Sequence, residues 1–213
     1  MTSLSRVVAS KAFIAIINNT YNAYMIHGAR SSKKVDYFHT KIKEALEQLF
    51  LTEHGFMVKL EYNVPSMNSV GRKKCDIVVL KNDNVYIIFP VKLIMTNYKQ
   101  NKNNSWENLT GELIHLKWKN ENIKLIPINI FMNKTPYLNS KKHITKFETI
   151  TIKDIDNYNI LTEKNICYDV VNYIIDVEHT NSVDEPFTII PTITGFNTQT
   201  PFRCFDTILQ DLL

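Results

Sequence analysis

The chain has 213 residues, 44% hydrophobic and 22% charged, and its 25 Lys and Arg outnumber 21 Asp and Glu for a net charge of +4. That balance belongs to a folded chain with one substantial domain, and it excludes a low-complexity or disordered polymer. The basic excess is compatible with nucleic acid without pointing to it, and three scattered cysteines (Cys75, Cys167, Cys204) make neither a zinc pattern nor a disulfide framework.

No signal-peptide pattern opens the chain and no apolar run approaches eighteen residues, so a soluble cytoplasmic protein with no membrane contact is expected. Residues 1–30 carry Val7, Val8, Phe13, Ile14, Ile16 and Ile17 and predict one or two helices ending near Gly28. After a polar break at 31–34, Val35, Phe38, Ile42, Leu46, Leu49 and Phe50 recur at helical spacing, with Gly55 beyond the end. His39, Lys43, Glu44 and Glu47 fill the other positions of that helix.

Residues 56–64 alternate as a strand stopped by Pro65. Two further strands, 76–80 and 85–91, are rich in β-branched residues and flank the turn residues Asn82, Asp83 and Asn84. A tight hairpin there sets Lys81 against Val85 and Asp76 against about Pro90, with Pro90 and Lys92 on one face. Residues 106–118 predict a helix with Ser105 as N-cap, and Leu109, Leu113, Leu116, Trp106 and Trp118 toward the core. An apolar strand follows at 123–131, and strand, helix, strand in that order implies a right-handed crossover between parallel strands. Further on, 144–155 is expected to hold a strand, 167–177 a helix and 207–213 a short terminal helix, with 187–205 irregular. No internal repeat or linker interrupts the chain, which therefore reads as one domain.

The chemistry concentrates in residues 72–112. Hydrolysis of a phosphodiester by a divalent ion needs carboxylates for the metal and a cation that orients water and steadies the developing charge. Asp76 on one strand and Lys92 at the end of its hairpin partner bring such groups to one sheet edge. The runs Cys75-Asp76-Ile77-Val78-Val79 and Phe89-Pro90-Val91-Lys92, with Glu44 on the helix before and Glu112 on the helix after, resemble the PD-(D/E)XK nuclease superfamily, to which many type II restriction endonucleases belong. The resemblance covers roughly residues 35–131. It implies an α/β fold with a restriction-endonuclease-like core, a mixed central sheet flanked by helices, with residues from about 132 onward as an accessory, target-recognition region. It also implies Mg²⁺, double-stranded DNA and a homodimer, since each site cuts one strand.

Two positions depart from the family pattern. Cys75 stands where proline often precedes the aspartate, and Pro90 stands where an acid or Gln is usual, though proline binds no metal. Either the site is inactive, leaving a nuclease-fold binding or interaction protein, or another acid has moved in. Glu107 and Glu112 both lie on the following helix, about 140° apart around it. Glu107, at the helix start, is the preferred replacement and Glu112 the second. Asp76, Lys92, Glu107 and Glu112 are thus the expected catalytic set, and Asp76, Glu107 and Glu44 the expected metal ligands. His39 and His115 read as surface or half-buried histidines, lacking a second His or Cys at ligand spacing. Lys73, Lys74, Lys99, Gln100, Asn101, Lys102 and Asn104 are expected to contact nucleic acid, the last five from a solvated loop between Lys92 and the helix.

Overall fold

The computed structural model describes residues 3–28, 31 and 33–213, with side chains from residue 9 onward, so the expected roles of Val7 and Val8 lie outside the described residues. A single long helix, α1 (Ser3–His27), opens the chain. Gly28 ends it with φ 81°, a left-handed position that glycine takes without strain, and its N–H donates to the Tyr24 carbonyl at 2.7 Å. α2 (Lys33–Glu47) buries Phe38, His39, Ile42 and Leu46 along one stripe. Its outer face pairs Lys41 with Glu44 at 2.6 Å and Lys43 with Glu47 at 2.9 Å.

β1 (Phe56–Pro65), β2 (Arg72–Lys81) and β3 (Asn84–Phe89) form an antiparallel meander. Asn82 and Asp83 both have positive φ, 49° and 61°, giving the mirror-image two-residue turn that suits strand twist. Lys81 consequently pairs with Asn84, one residue short of the expected Val85. A bulge between Val79 and Leu80 then restores the phase: Ile77 pairs with Phe89, and Asp76 comes next in register with Pro90.

Pro90 donates no backbone hydrogen bond and splits this strand from its continuation, β4 (Val91–Ile94). α3 (Tyr98–Lys119) crosses over, and the return strand is split in turn at Pro127 into β5 (Lys124–Leu125) and β6 (Ile128–Met132). β5 runs parallel to β3 and β6 to β4. Ile126 N–H to Ile88 O (2.9 Å) and Ile128 N–H to Pro90 O (2.8 Å) carry the pairing across both breaks. β7 (Lys134–Leu138) and β8 (Ile144–Thr149) form a separate hairpin, followed by the short helices α4 (Ile152–Ile155) and α5 (Ile160–Glu163). β9 (Val171–Glu178) then lies parallel to β6, β10 (Thr192–Phe196) antiparallel to β9, and α6 (Phe205–Ile208) closes the chain. The ladders are ordered β1-β2-β3-β5 and β10-β9-β6-β4. The protein is therefore α/β, a mixed sheet flanked by helices.

Three elements differ from the sequence expectation. Residues 167–177 hold most of strand β9 rather than a helix; its Val-Asn-Tyr-Ile-Ile run is a buried strand, apolar toward both faces, which periodicity does not separate from a buried helix. α3 starts eight residues before Trp106. Tyr98 is buried with its ring 5.4 Å from Phe131, and the Glu148 carboxylate accepts the Lys99 N–H at 3.0 Å, so tertiary partners satisfy the first turn. The terminal helix is Phe205–Ile208, earlier than expected. After residue 132, β9 and β10 extend the sheet.

The sheet separates two apolar clusters. Ile77, Val79, Ile87 and Phe89 pack with Phe13, Ile17, Tyr21, Phe38, Ile42 and Leu46 of α1 and α2. Val78, Leu80 and Ile88 pack with Tyr98, Leu109, Leu113 and Leu116 of α3. Among the described residues, no helix is long and apolar enough to cross a membrane.

Candidate metal centre

β1 and β2 exchange faces at one point. Phe56, Val58 and Leu60 belong to the α1–α2 cluster, whereas Tyr62 and Val64 belong to the α3 cluster. On β2, Ile77 and Val79 lie on the first side and Cys75 on the second. Strict alternation would keep residues 60 and 62 together. Glu61 breaks it with φ 51°, between the ladder pairs Leu60–Ile77 and Tyr62–Cys75, which puts Glu61 level with Asp76.

His39 reaches this point from the inner face of α2. One of its ring nitrogens, a Glu61 carboxylate oxygen and an Asp76 carboxylate oxygen all lie within 4.8 Å of one another. His39 is 4% exposed, and its Nε2 is buried with no hydrogen-bond partner. Its Nδ1 stands 4.0 Å from Glu61 Oε1. An orphaned buried nitrogen is a costly feature unless something fills it. His39, Glu61 and Asp76 together are a group able to hold a metal ion.

Each member of the cluster is held. Asp76 Oδ2 accepts the Val91 N–H at 2.7 Å, which fixes the carboxylate against the strand carrying Lys92. Glu61 Oε2 pairs with Lys74 at 2.8 Å. Burial lowers the His39 pKa; Asp76, Glu61 and Asp36 oppose that shift, and the positive charge of Lys92 adds to it. His39 is accordingly a neutral imidazole at neutral pH, the form that donates a lone pair. Beside it the Cys75 thiol is pushed up to about 12, first by burial and then by Glu112 and Asp76, so it is inert as a nucleophile.

Lys92 is half-buried and lines a cavity of about 430 Å³ together with Ser66, Asn68, Lys73, Glu107, Asn108, Gly111, Glu112 and His115. Here the two expected helix acids part company. Glu112 is 11% exposed and ion-paired to Lys73 at 3.0 Å, while Glu107 is exposed at the rim. Both share the cavity with Lys92, and neither belongs to the group formed by His39, Glu61 and Asp76. Glu44 is also outside it: five positions from His39 on α2, it faces solvent and holds Lys41.

The expected nucleic-acid loop is instead the first turns of α3. Lys99, Gln100, Asn101 and Asn104 are exposed there and Lys102 partly so. Gln100 accepts from Asn97 Nδ2 at 3.2 Å, and Asn101 Nδ2 donates to the Asn97 carbonyl at 3.0 Å. Lys73 and Lys74 are the partners of Glu112 and Glu61. Trp106 packs edge-on against Tyr158, as a core residue would, but Trp118 is 67% exposed with its ring 5.8 Å from His115.

No protein-family model, curated protein or solved structure matches the chain.

Sequence reading missed His39 and Glu61. His39 was legible, since it follows Phe38 and precedes Ile42 and Leu46 on one helical stripe. Glu61 was not, because the even positions from Phe56 to Val64 stay apolar straight through the point where the backbone breaks phase, and no residue type announces that break.

Proposed function

We propose that the chain is a divalent-metal-dependent nuclease acting on double-stranded DNA, built on a core like that of the restriction endonucleases. The observation that carries this reading is Asp76 grouped with Glu61 and a ring nitrogen of the buried His39, on a hairpin that also carries Lys92. The order helix, three antiparallel strands, crossover helix and parallel strand agrees with the core that the resemblance implies.

In this reading His39 and Asp76 hold the cation, which when bound supplies Lewis-acid charge at the phosphate and acidifies a water. Imidazole among the donors favours Mn²⁺ over the all-oxygen preference of Mg²⁺. The Val91 N–H holds the Asp76 carboxylate in place. Lys92 contributes its ammonium to the water or to the phosphate charge, and the cavity beside it receives the scissile segment. Exposed Lys99, Gln100, Asn101, Lys102 and Asn104 contact the DNA backbone, and a homodimer cuts both strands.

Purified protein incubated with plasmid and phage DNA plus Mn²⁺ or Mg²⁺ tests this. Cleavage abolished in Asp76→Asn supports it, with discrete fragments meaning sequence-specific cutting and a smear meaning a nonspecific nuclease. Intact DNA under both ions sinks it. The second reading is a non-catalytic nuclease-fold binding protein, favoured by Pro90 at the usual acid position and by Glu112 locked to Lys73. It predicts DNA affinity that falls with salt and no cleavage.

A further inference from the structure

Asp76 has two cross-strand neighbours. On one side stands Pro90, which offers no donor atom; on the other stands Glu61. We propose that Glu61 is the acid that replaces the one absent at position 90, so that the second carboxylate of the metal centre comes from β1, the opposite flank of Asp76 from the usual one. This rests on the metal-centre reading above and specifies which acid completes it.

Geometry and chemistry agree. The Glu61 carboxylate is within 4.8 Å of both the Asp76 oxygen and the His39 nitrogen, whereas Glu107, Glu112 and Glu44 are outside that group. His39, the third member of the group, is 4% exposed and has no hydrogen-bond partner at Nε2. The backbone adds a further point. Glu61 sits at φ 51°, a left-handed conformation in which glycine would be relaxed and an L side chain is strained. As a mere partner for the exposed Lys74, Glu61 would add little to stability. A side chain kept in a strained position needs a reason that its stability does not supply, and cation binding is such a reason.

The two roles separate experimentally. Full-length wild type, Glu61→Gly, Glu61→Gln and Lys74→Met are titrated with Mn²⁺ alone by calorimetry or by the loss of free-Mn²⁺ paramagnetic signal, and melted without metal. The proposal predicts that Glu61→Gly raises the metal-free melting temperature by roughly 2–4 °C. It also predicts that both Glu61 variants bind Mn²⁺ at least about tenfold more weakly, while Lys74→Met binds as well as wild type or better, Glu61 being released from its ion pair. Wild-type Mn²⁺ affinity in Glu61→Gln, or an equal loss in Lys74→Met, overturns the role of Glu61 and leaves the His39–Asp76 reading standing. No Mn²⁺ binding by wild type overturns both.

Discussion

The two sides of Lys92 carry similar residues in opposite states. Toward α3, Glu112 is neutralised by Lys73 at 3.0 Å and Glu107 reaches solvent, so the acids there are already satisfied. Toward α2, His39, Glu61 and Asp76 converge, and a buried ring nitrogen has no partner. A pair of acids near a lysine is thus not enough to mark a metal site. The mark is an arrangement that the protein alone leaves electrostatically incomplete.

That contrast is broken most forcefully at Asp76. Asp76→Asn keeps an acceptor for the Val91 N–H but removes the negative charge, and we expect it to abolish Mn²⁺ binding and to lower cleavage by on the order of 10³-fold. If Glu107→Gln or Glu112→Gln has that effect and Asp76→Asn does not, the assignment of the two sides is reversed. Lys92→Met comes next: cleavage falls about 10²-fold or more while Mn²⁺ affinity stays near wild type. Parallel loss of both would make Lys92 structural.

A smaller effect sharpens the α2 side through pH. Because the His39 pKa is lowered in the fold, the unfolded chain takes up this proton first as pH falls through the ordinary histidine value near 6.5. Stability is therefore complete above that value and declines below it. Chemical denaturation at pH 7.5, 6.5 and 5.5 should show this decline, and His39→Asn should flatten it. A remainder persists from His179, whose pKa burial also lowers. An unchanged pH slope in His39→Asn would contradict the burial account. The smallest effect belongs to α3: Lys99→Ala with Lys102→Ala should weaken DNA binding and reduce the salt slope by about two, without changing Mn²⁺ affinity.

Much of the frame was legible. The hairpin of β2 and β3, the α2 stripe and the crossover through α3 follow from periodicity and turn chemistry, and Ile77 pairs with Phe89, next to Asp76 and Pro90, although the turn pairs Lys81 with Asn84 and not Val85. The bulge at Val79–Leu80 compensated a shift that local reading did not see. What escaped depends on partners distant in sequence. The first turn of α3 forms because Phe131 and Glu148 meet it, and β9 is a strand because it is enclosed on both sides. Glu61 escaped for a different reason. Its importance lies in a backbone angle, and nothing in a run of alternating residues records which one turns left-handed.

A crystal soaked in Mn²⁺ and measured at an energy where manganese scatters anomalously tests the central claim most directly. We predict one anomalous peak per chain, bounded by His39, Glu61 and Asp76. A peak bounded instead by Glu107 and Glu112 in the Lys92 cavity, or no peak at saturating Mn²⁺, would contradict it.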